Sequence, residues 1–400
     1  MNAVASLNAQ ERKVGMALAA IFGLRMLGLF LVFPVFALYA RTIPGGEDMT
    51  RVGLALGAYG GTQACLQILW GAASDRWGRK PVIVAGLVLF ALGSAVAALA
   101  SDIDWIIAGR VIQGAGAISA AVTALAADLT RPESRTRIMA MIGASISLVF
   151  ALSLVAAPIL YAWIGMRGIF WLTGALSLLA IVALLKIVPP APPPVPGERV
   201  PTRQVLFDPR LLRLNFGVFV LHFTQMALWM LVPAALATNA SLALAEHWKI
   251  YLPAVLCALL LMTPLIIAAE KKGKMKAALS GAILLLIVVL LGLFQARGGA
   301  LALFCWLTLF FVAFNLLEAT QPSLISRIAP PAARGKAMGI YNTLQAAGLF
   351  AGGLMGGLLL EHHGEGALLG VCAALSLVWL ILSLSLRIPA ARLANLAHSH

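Results

Sequence analysis

The sequence predicts an all-α membrane protein with twelve transmembrane helices in two six-helix pseudo-repeats. Three observations lead to this prediction. The 400 residues are 61% hydrophobic and 11% charged, with a mean hydropathy of +0.96, whereas a soluble domain carries about 25% charged residues. Twelve apolar runs approach the ~20 residues that a membrane-crossing helix needs. Finally, two loops of the first half of the chain recur in the second half.

The predicted spans are separated by short polar loops and by one long polar interruption. This interruption, at 189–212, is a linker whose proline-rich stretch VPPAPPPVPGERVPTRQ, at 188–204, should be extended or polyproline-like. It separates an N-terminal six-helix half at 1–188 from a C-terminal six-helix half at 213–400. Asp208 followed by Pro209 predicts a helix start, because aspartate caps helices and proline fits their first turn. The predicted spans are 16–40, 52–73, 81–101, 105–127, 138–163, 168–188, 213–238, 248–269, 277–296, 300–325, 337–360 and 366–386.

Lysine and arginine are distributed unevenly among the loops. If both termini are cytoplasmic, 22 of the 29 basic residues fall in cytoplasmic segments, five fall in external loops and two lie within spans. Basic residues favour the cytoplasmic side of a membrane. We therefore predict a multi-pass protein of a bacterial-type inner membrane, embedded in the lipid bilayer, with both termini and the linker in the cytoplasm.

The same distribution argues against other protein classes. The net charge of +14 is divided among short loops, whereas a nucleic-acid-binding protein gathers its basic residues on one soluble face. The four cysteines lie singly in apolar runs, which disfavours a disulfide framework or a zinc site. No HExxH, GxSxG or phosphate-binding loop occurs. We predict no nucleic-acid partner, metal, cofactor or enzymatic activity; a membrane-embedded enzyme or a receptor is the alternative of a different class.

Two pairs of loops indicate an internal repeat. PESRTRIM at 132–139 and PAARGKAM at 331–338 share a proline, an arginine, a second basic residue and a methionine at one constant offset. DRWGR at 75–79 is matched by EKKGK at 270–274. We interpret the two halves as parallel repeats, which usually carry a substrate path between them; chance similarity of basic loops is the alternative.

Ionisable side chains within the predicted spans are candidates for function, because a charge at membrane depth is costly. Glu318 lies in the middle of a span, and Asn315 and Gln321 share its helix face at i−3 and i+3. A carboxyl group there is a candidate proton carrier, and a structural carboxyl satisfied by a neighbouring helix is the alternative. His222, with Gln225 three residues on, is a candidate partner of Glu318 in proton coupling.

Two arginines also lie within predicted spans. Arg110 shares a helix face with Gln113. It could be a functional residue, or it could have the structural role of binding carbonyl groups at helix ends. Arg25 lies about one third of the way into the first span, where it could reach the membrane surface. It could instead pair with Gln63 or Gln67. Anionic substrates would favour Arg25 and Arg110 as ligands.

Uncharged polar side chains form stripes that would orient a mostly apolar ligand. On the second span Gln63 and Gln67 follow Tyr59 at i+4 and i+8, and the eleventh span carries Asn342 and Gln345. We predict a substrate cavity lined by side chains from six spans: Arg25, Tyr59, Gln63, Gln67, Gln113, Gln225, Asn315, Gln321, Asn342 and Gln345.

Glycines recur every fourth residue on the eleventh span, at Gly348, Gly352 and Gly356. Small residues at this spacing let two membrane helices approach closely. We interpret this pattern as a packing surface.

A cluster of charge separates the second and third spans. Positive residues there hold the loop in the cytoplasm, but the acidic residue has no such role. The cluster follows a sequence pattern that consists of a glycine, three residues and then Asp-Arg-x-Gly-Arg-Lys. A second pattern lies in the fourth span and consists of Arg110-x-x-Gln113 followed by small residues. Both resemble signatures of the major facilitator superfamily. The residues of the first pattern are Gly71, Asp75, Arg76, Gly78, Arg79 and Lys80.

Within this superfamily the chain resembles the YajR group of drug/proton antiporters. The matching segments are LRMLG at 24–28, EHWK at 246–249 and FFVAFNL at 310–316. The resemblance implies the major facilitator fold and a monomer. It also implies proton-coupled export of small amphipathic or hydrophobic compounds by alternating access. Transport of a sugar, organic acid or other metabolite, by symport or efflux, is the alternative.

The resemblance also implies roles for individual residues. Arg110 would act in proton coupling together with Glu318 and His222. Asp75 would belong to a cytoplasmic gate in which Arg79 reaches Asp128 and which forms in only one state of the transport cycle. A plain topological anchor is the alternative for this loop. From their residue type, Gly71 should permit close approach of a helix and Gly78 a sharp turn.

Overall fold

The computed structural model describes residues 8–116, 118–131, 134–190, 201–295, 299–330 and 333–386, and all regular structure within these ranges is helical. The chain divides into two compact units, the first within residues 2–196 and the second within residues 197–400. The predicted all-α class is confirmed.

The helices of the first unit are interrupted at proline and glycine. Pro34 begins a new helix just after a break, because proline lacks the amide hydrogen that a helix interior needs. Gly78 separates two helices with φ of +93°, so the predicted sharp turn at this glycine is confirmed. The helices are α1 (Ala9–Phe30), α2 (Phe33–Ala40), α3 (Met49–Trp77), α4 (Arg79–Leu99), α5 (Ile103–Ala115), α6 (Ser119–Asp128) and α7 (Arg135–Ile187).

The fourth predicted span, 105–127, is not one continuous helix. It ends as α5 at Ala115 and resumes as α6. At the break, a Cβ atom on Gly116 would lie 2.2 Å from the carbonyl oxygen of Gly86 in α4. The break therefore brings two backbones together where no side chain fits. The predicted span corresponds to one membrane-crossing segment, Ile103–Asp128, which contains this break.

The second unit begins its long helices at the predicted position. Asp208 caps α9, and its carboxylate accepts a hydrogen bond from the Arg210 main-chain nitrogen at 2.8 Å. The guanidinium of Arg210 also donates to it at 2.7 Å, and this bond lowers the pKa of the Asp208 carboxyl. The helices are α8 (Thr202–Leu206), α9 (Pro209–Thr238), α10 (Trp248–Lys271), α11 (Met275–Gln295), α12 (Ala300–Ile328) and α13 (Arg334–Leu384).

Nine helical segments of the described residues are long and apolar enough to cross a membrane. Two of them are 51 residues long, within α7 and α13. Each of these contains a glycine with non-helical backbone angles, Gly165 in α7 and Gly364 in α13, and so comprises two spans. The 29 residues of α3 are less apolar because they include glycines and polar side chains. With α3 included, the described helices supply the twelve predicted spans.

Two helices of the second unit, α9 and α13, touch backbone to backbone. A Cβ atom on Gly348 would lie 2.4 Å from the Phe219 carbonyl oxygen, and one on Gly352 would lie 2.3 Å from the Phe223 carbonyl oxygen. Gly356 packs more loosely, because a Cβ atom there would lie 3.3 Å from the Met230 sulfur. The predicted packing surface is confirmed, and it fixes α13 against the part of α9 that carries His222.

The start of α1 is tied to the loop that precedes α7. Glu11 is 3% exposed. Its carboxylate accepts hydrogen bonds from the Arg131 guanidinium at 2.9 Å and from the Ser134 hydroxyl at 3.1 Å. Asn8 and Glu11 also form a capping box.

Candidate functional site

A cluster of three polar side chains joins α9, α12 and α13 inside the second unit. His222 is 4% exposed. Its Nε2 atom lies 3.5 Å from Glu318 Oε1 and 2.7 Å from the side-chain nitrogen of Gln345. Phe314 packs edge-on against the imidazole, with ring centroids 6.0 Å apart. The three helices thus hold one acid, one imidazole and one amide within contact distance.

The hydrogen-bond partners of His222 indicate which of its two ring nitrogens carries a hydrogen. Nδ1 lies 3.0 Å from the Val218 carbonyl oxygen, which can only accept, so Nδ1 carries a hydrogen. The amide nitrogen of Gln345 can only donate, so Nε2 accepts from it. The imidazole in this arrangement is therefore neutral. A proton on Nε2 would repel the amide hydrogens of Gln345, because both groups would then be donors. Nε2 would instead donate to the Glu318 carboxylate.

Glu318 combines a buried atom with an accessible one. Its Oε1 atom is buried and makes no hydrogen bond to any part of the chain that the structure describes. The side chain as a whole is 30% exposed. A carboxyl group in this position can exchange a proton with its surroundings while facing His222. Tyr341 of α13 lies close enough to interact electrostatically with Glu318.

The other polar residues predicted for this half are only partly brought together. Asn315 donates to the Phe311 carbonyl oxygen at 2.8 Å, within its own helix. Gln321 is completely buried beside Gly217 and away from the His222 cluster. Gln225 is buried in α9, and Asn342 is half-buried in α13. Of the predicted lining residues that the structure describes in this unit, Gln345 is the one with a hydrogen bond to His222.

In the first unit, two arginines flank the ring of Tyr59. The Arg25 and Arg110 guanidinium carbons lie 5.5 and 5.3 Å from the ring centroid, within the range of cation–π attraction. Arg25 donates to the Tyr59 hydroxyl, to Gln63 Oε1 at 3.4 Å and to the Ser119 hydroxyl at 3.4 Å. The predicted residues Arg25, Tyr59 and Gln63 therefore form one group across α1 and α3, and Ser119 joins this group to α6.

Arg110 is held in a fully buried network. Its Nε atom donates to the Ala55 carbonyl oxygen at 3.3 Å, and Nη1 donates to Gln113 at 2.9 Å. Gln113 donates in turn to Ser94 at 2.8 Å, and Ser94 accepts from Thr173 at 3.1 Å. This network connects α3, α5, α4 and α7. Gln67 is one step removed from both arginines, since it accepts only from Gln63 at 3.3 Å.

The charged segment between α3 and α4 forms an ion-pair network. Arg79 donates to Asp75 at 2.5 Å and to Asp128 at 2.9 Å, so it makes the contact with Asp128 that the resemblance implied. It also donates to Ser74 at 2.7 Å. Lys80 donates to the Val188 carbonyl oxygen at the end of α7. Four helix termini therefore meet at this segment, the ends of α3, α6 and α7 and the start of α4.

One residue of the segment differs from expectation, and a second makes no hydrogen bond with Arg79. A Cβ atom on Gly71 would lie 3.6 Å from the Ala120 Cβ atom, which is ordinary van der Waals contact. The expected close helix approach at Gly71 was therefore wrong, because alanine would fit there. Arg76 is exposed. Gly71 and Arg76 thus lie outside the network that Arg79 organises.

Sequence reasoning missed several partners of the predicted residues. Ser119 and Ser94 hold Arg25 and Gln113, but small hydroxyl side chains in apolar runs carry no distinguishing signal. Tyr341 adjoins the predicted Asn342 and was overlooked because it reads as an aromatic packing residue. Among the described residues no group of three or more metal-ligating side chains is assembled.

Comparison with known proteins shows extensive similarity to transporters. The family model described as Major Facilitator Superfamily matches residues 18–324 and 214–398. The inner membrane transport protein YajR of Escherichia coli (strain K12) is 42% identical over 385 residues, covering 95% of this chain and 84% of the relative. The multidrug resistance protein MdtH of Aeromonas hydrophila is 28% identical over 363 residues, covering 88% of this chain and 89% of the relative.

A solved structure has the same fold. It is a bacterial homologue of the human lysosomal transporter Spinster, in an inward-facing and occupied conformation, with a TM-score of 0.73. It is 14% identical in sequence, and the match covers 95% of this chain and 97% of the other.

Proposed function

The chain belongs to the Major Facilitator Superfamily, and on that premise we propose that it is a proton-coupled secondary transporter that exports small amphipathic or hydrophobic compounds by alternating access. Its family and relatives are transport proteins, which points to a multi-pass transporter of a small molecule in a bacterial inner membrane and away from an enzyme. Export, proton coupling, a monomer and cytoplasmic termini belong to the proposal. So does the division into halves at 1–188 and 213–400, joined by a cytoplasmic linker at 189–212.

The observation that carries proton coupling is the contact of Glu318 with His222. A carboxyl group whose neighbour at 3.5 Å is a neutral imidazole lacks a permanent counter-charge. A carboxylate and a neutral imidazole are both groups to which a proton can bind. A proton entering this pair would be shared between Glu318 and His222, and the charge of the pair would change.

Gln345 connects this charge change to helix packing. In the neutral arrangement its amide holds α13 to His222 of α9. Protonation of His222 Nε2 removes the acceptor, so Gln345 must reorient while the imidazolium turns toward Glu318. Two states that differ in this bond differ in their affinity for a proton, and a proton then shifts the equilibrium between them. Arg110 is proposed to support coupling through the fully buried network of the first unit.

We propose that the Arg79 network is a gate that forms in one state of the cycle. Arg79 is mostly buried, with 13% of its side chain exposed, and its partners differ in exposure. Asp75 is 65% exposed and Asp128 is 25% exposed. Exposed ion pairs contribute about 0–1 kcal/mol. The Asp128 contact should therefore carry most of the stabilisation.

For this gate we predict that Asp128→Asn slows the transport cycle by about tenfold, whereas Asp75→Asn slows it by no more than a few-fold. Substrate affinity should change little in either variant. The measurement is the turnover rate in proteoliposomes together with the dissociation constant in detergent. The Arg76→Gln variant, which alters an exposed charge of the same segment, is the control. Weaker binding at an unchanged turnover rate would contradict the gate.

Transport of a metabolite, by symport or efflux, is the second candidate function. The observation that favours it is the pair of buried guanidinium groups at Arg25 and Arg110, which suits an organic acid better than a neutral drug. An uncharged, purely apolar substrate would leave both groups unused.

The proposed function is tested by screening compounds on purified protein reconstituted in liposomes. We expect an outward flux of amphipathic compounds that depends on an inward proton gradient, with protons moving opposite to the compound. A pH-sensitive dye inside the vesicles reports the protons, and vesicles without protein give the background. Flux that ignores the proton gradient would exclude coupling, and protons moving with the compound would establish symport.

A further inference from the structure

The Arg25 guanidinium is a buried charge for which the described residues of the first unit supply no opposite charge. Arg25 is 1% exposed and lies in the interior of α1. The described acidic residues of this unit all lie in loops or within three residues of a helix end: Glu11, Glu47, Asp48, Asp75, Asp102, Asp104 and Asp128. The ion pairs found among the described residues do not include Arg25. A buried charge normally has a charged partner, because burial without one is costly.

The described hydroxyl and amide partners of Arg25 are uncharged. The Tyr59 hydroxyl, the Gln63 amide oxygen and the Ser119 hydroxyl are side-chain ends, and the last two accept at 3.4 Å, which is long for a hydrogen bond. The Nε atom of Arg25 is buried and makes no hydrogen bond with any described residue. Nε and Nη2 form one edge of the guanidinium, and this edge holds only Tyr59 and Gln63.

Arg110 likewise has no ion pair among the described residues, and its Nη2 atom is buried without a hydrogen bond, but its other contacts are to more firmly fixed groups. It is bound to a main-chain carbonyl group and to Gln113, which is itself fixed by Ser94. Arg110, Gln113 and Ser94 are completely buried. Gln63, in contrast, is only partly buried, so one side of the Arg25 group is reachable. A ligand can reach Arg25 by displacing Gln63, whereas access to Arg110 requires opening the core.

We propose that Arg25 binds the carboxylate of an organic anion with an apolar body, and that such anions are the substrate class of this transporter. This inference rests on the transport function proposed above. The carboxylate replaces Gln63 and accepts two parallel hydrogen bonds from Nε and Nη2 of Arg25, the bidentate geometry that matches a guanidinium edge. It supplies the missing negative charge. Tyr59 holds the Arg25 group in position, because its hydroxyl accepts from Nη2 and the guanidinium lies over its ring.

The test uses three probes of one shape: 1-naphthoate, 1-naphthamide and 1-naphthylmethylamine. Their dissociation constants are measured by isothermal titration calorimetry on the purified full chain in detergent. We expect naphthoate to bind at least about tenfold more tightly than naphthamide, since a charge-assisted pair replaces a neutral contact. The amine should bind most weakly. Naphthamide binding equal to that of naphthoate, or no naphthoate binding, would overturn the proposal.

Two variants locate the binding to Arg25. Arg25→Gln removes the charge, and Gln63→Glu places a carboxylate of the chain itself against Arg25. Each should reduce the preference for naphthoate over naphthamide to about one, because the charge is absent or already occupied. Gln204→Glu, the same amide-to-acid change at an exposed position of α8, should leave the preference intact. A preference that survives in Gln63→Glu would refute the site even if Arg25→Gln failed to fold.

This experiment is independent of proton coupling. Binding in detergent involves no gradient, so the naphthoate preference can hold even if the transporter proves to be uncoupled. A failed preference with intact proton-driven flux would reject the anion site alone.

Discussion

Replacing Glu318 by glutamine is expected to abolish transport driven by a pH gradient while leaving substrate binding intact. The amide keeps the size of the side chain but cannot take up or release a proton. It also removes the acid that faces His222 Nε2 at 3.5 Å. Without that acid, protonation of His222 lacks a counter-charge, and the Gln345 contact is no longer sensitive to protons.

The measurement compares gradient-driven flux with substrate exchange in proteoliposomes, using a compound found in the transport screen. Flux in Glu318→Gln should fall to the rate measured without a gradient, and exchange should persist. Glu47→Gln is the matched control, because Glu47 is exposed in a loop. Unchanged proton-driven flux in Glu318→Gln would remove this residue from the mechanism.

Replacing Gly352 by alanine is expected to destabilise the protein strongly, although only one methyl group is added. Its Cβ atom would lie 2.3 Å from the Phe223 carbonyl oxygen and 2.7 Å from the Phe223 Cα atom. These are backbone atoms, so α9 and α13 must separate. Overpacking of this kind costs about 1–3 kcal/mol or more. Because Phe223 follows His222, the same displacement would move the imidazole relative to Gln345.

Thermal unfolding in detergent and the yield of monodisperse protein measure this effect. The matched control is Gly370→Ala, in the same helix, where a Cβ atom meets nothing within 4 Å. Alanine is favoured over glycine in a helix by about 0.5–1 kcal/mol, so this control should be neutral or slightly more stable. Equal behaviour of the two variants would mean that the backbone contact of α9 with α13 contributes little.

The sequence predicts positions along the chain better than it predicts partners between helices. The start of α9 was predictable because Asp208 and Pro209 act locally. The contact of Glu318 with His222 was foreseeable because each group is polar at membrane depth and needs a partner. The bond between Gln345 and His222 was not, since it depends on how closely Gly348 lets α13 approach α9.

The first unit shows the same limit. The grouping of Arg25 with Gln63 followed from the need of a buried guanidinium for acceptors. Its bond to Ser119 depends on the break between α5 and α6, which places a new helix beside α1. Nothing in the alanine and glycine residues around Gly116 distinguishes such a break from continuous helix, and the close contact of Gly116 with α4 cannot be read from the sequence.

The glycine breaks of the two long helices establish an alignment of the two halves. Gly165 and Gly364 have nearly the same backbone angles, with φ of 64° and 76° and ψ of −177° and −178°. They are separated by the same offset as Pro132 and Pro331. From the loop to the break, neither half has therefore gained or lost a residue relative to the other. A Cβ atom meets nothing within 4 Å at either glycine, so the backbone angle alone explains why both copies of this hairpin reverse at glycine.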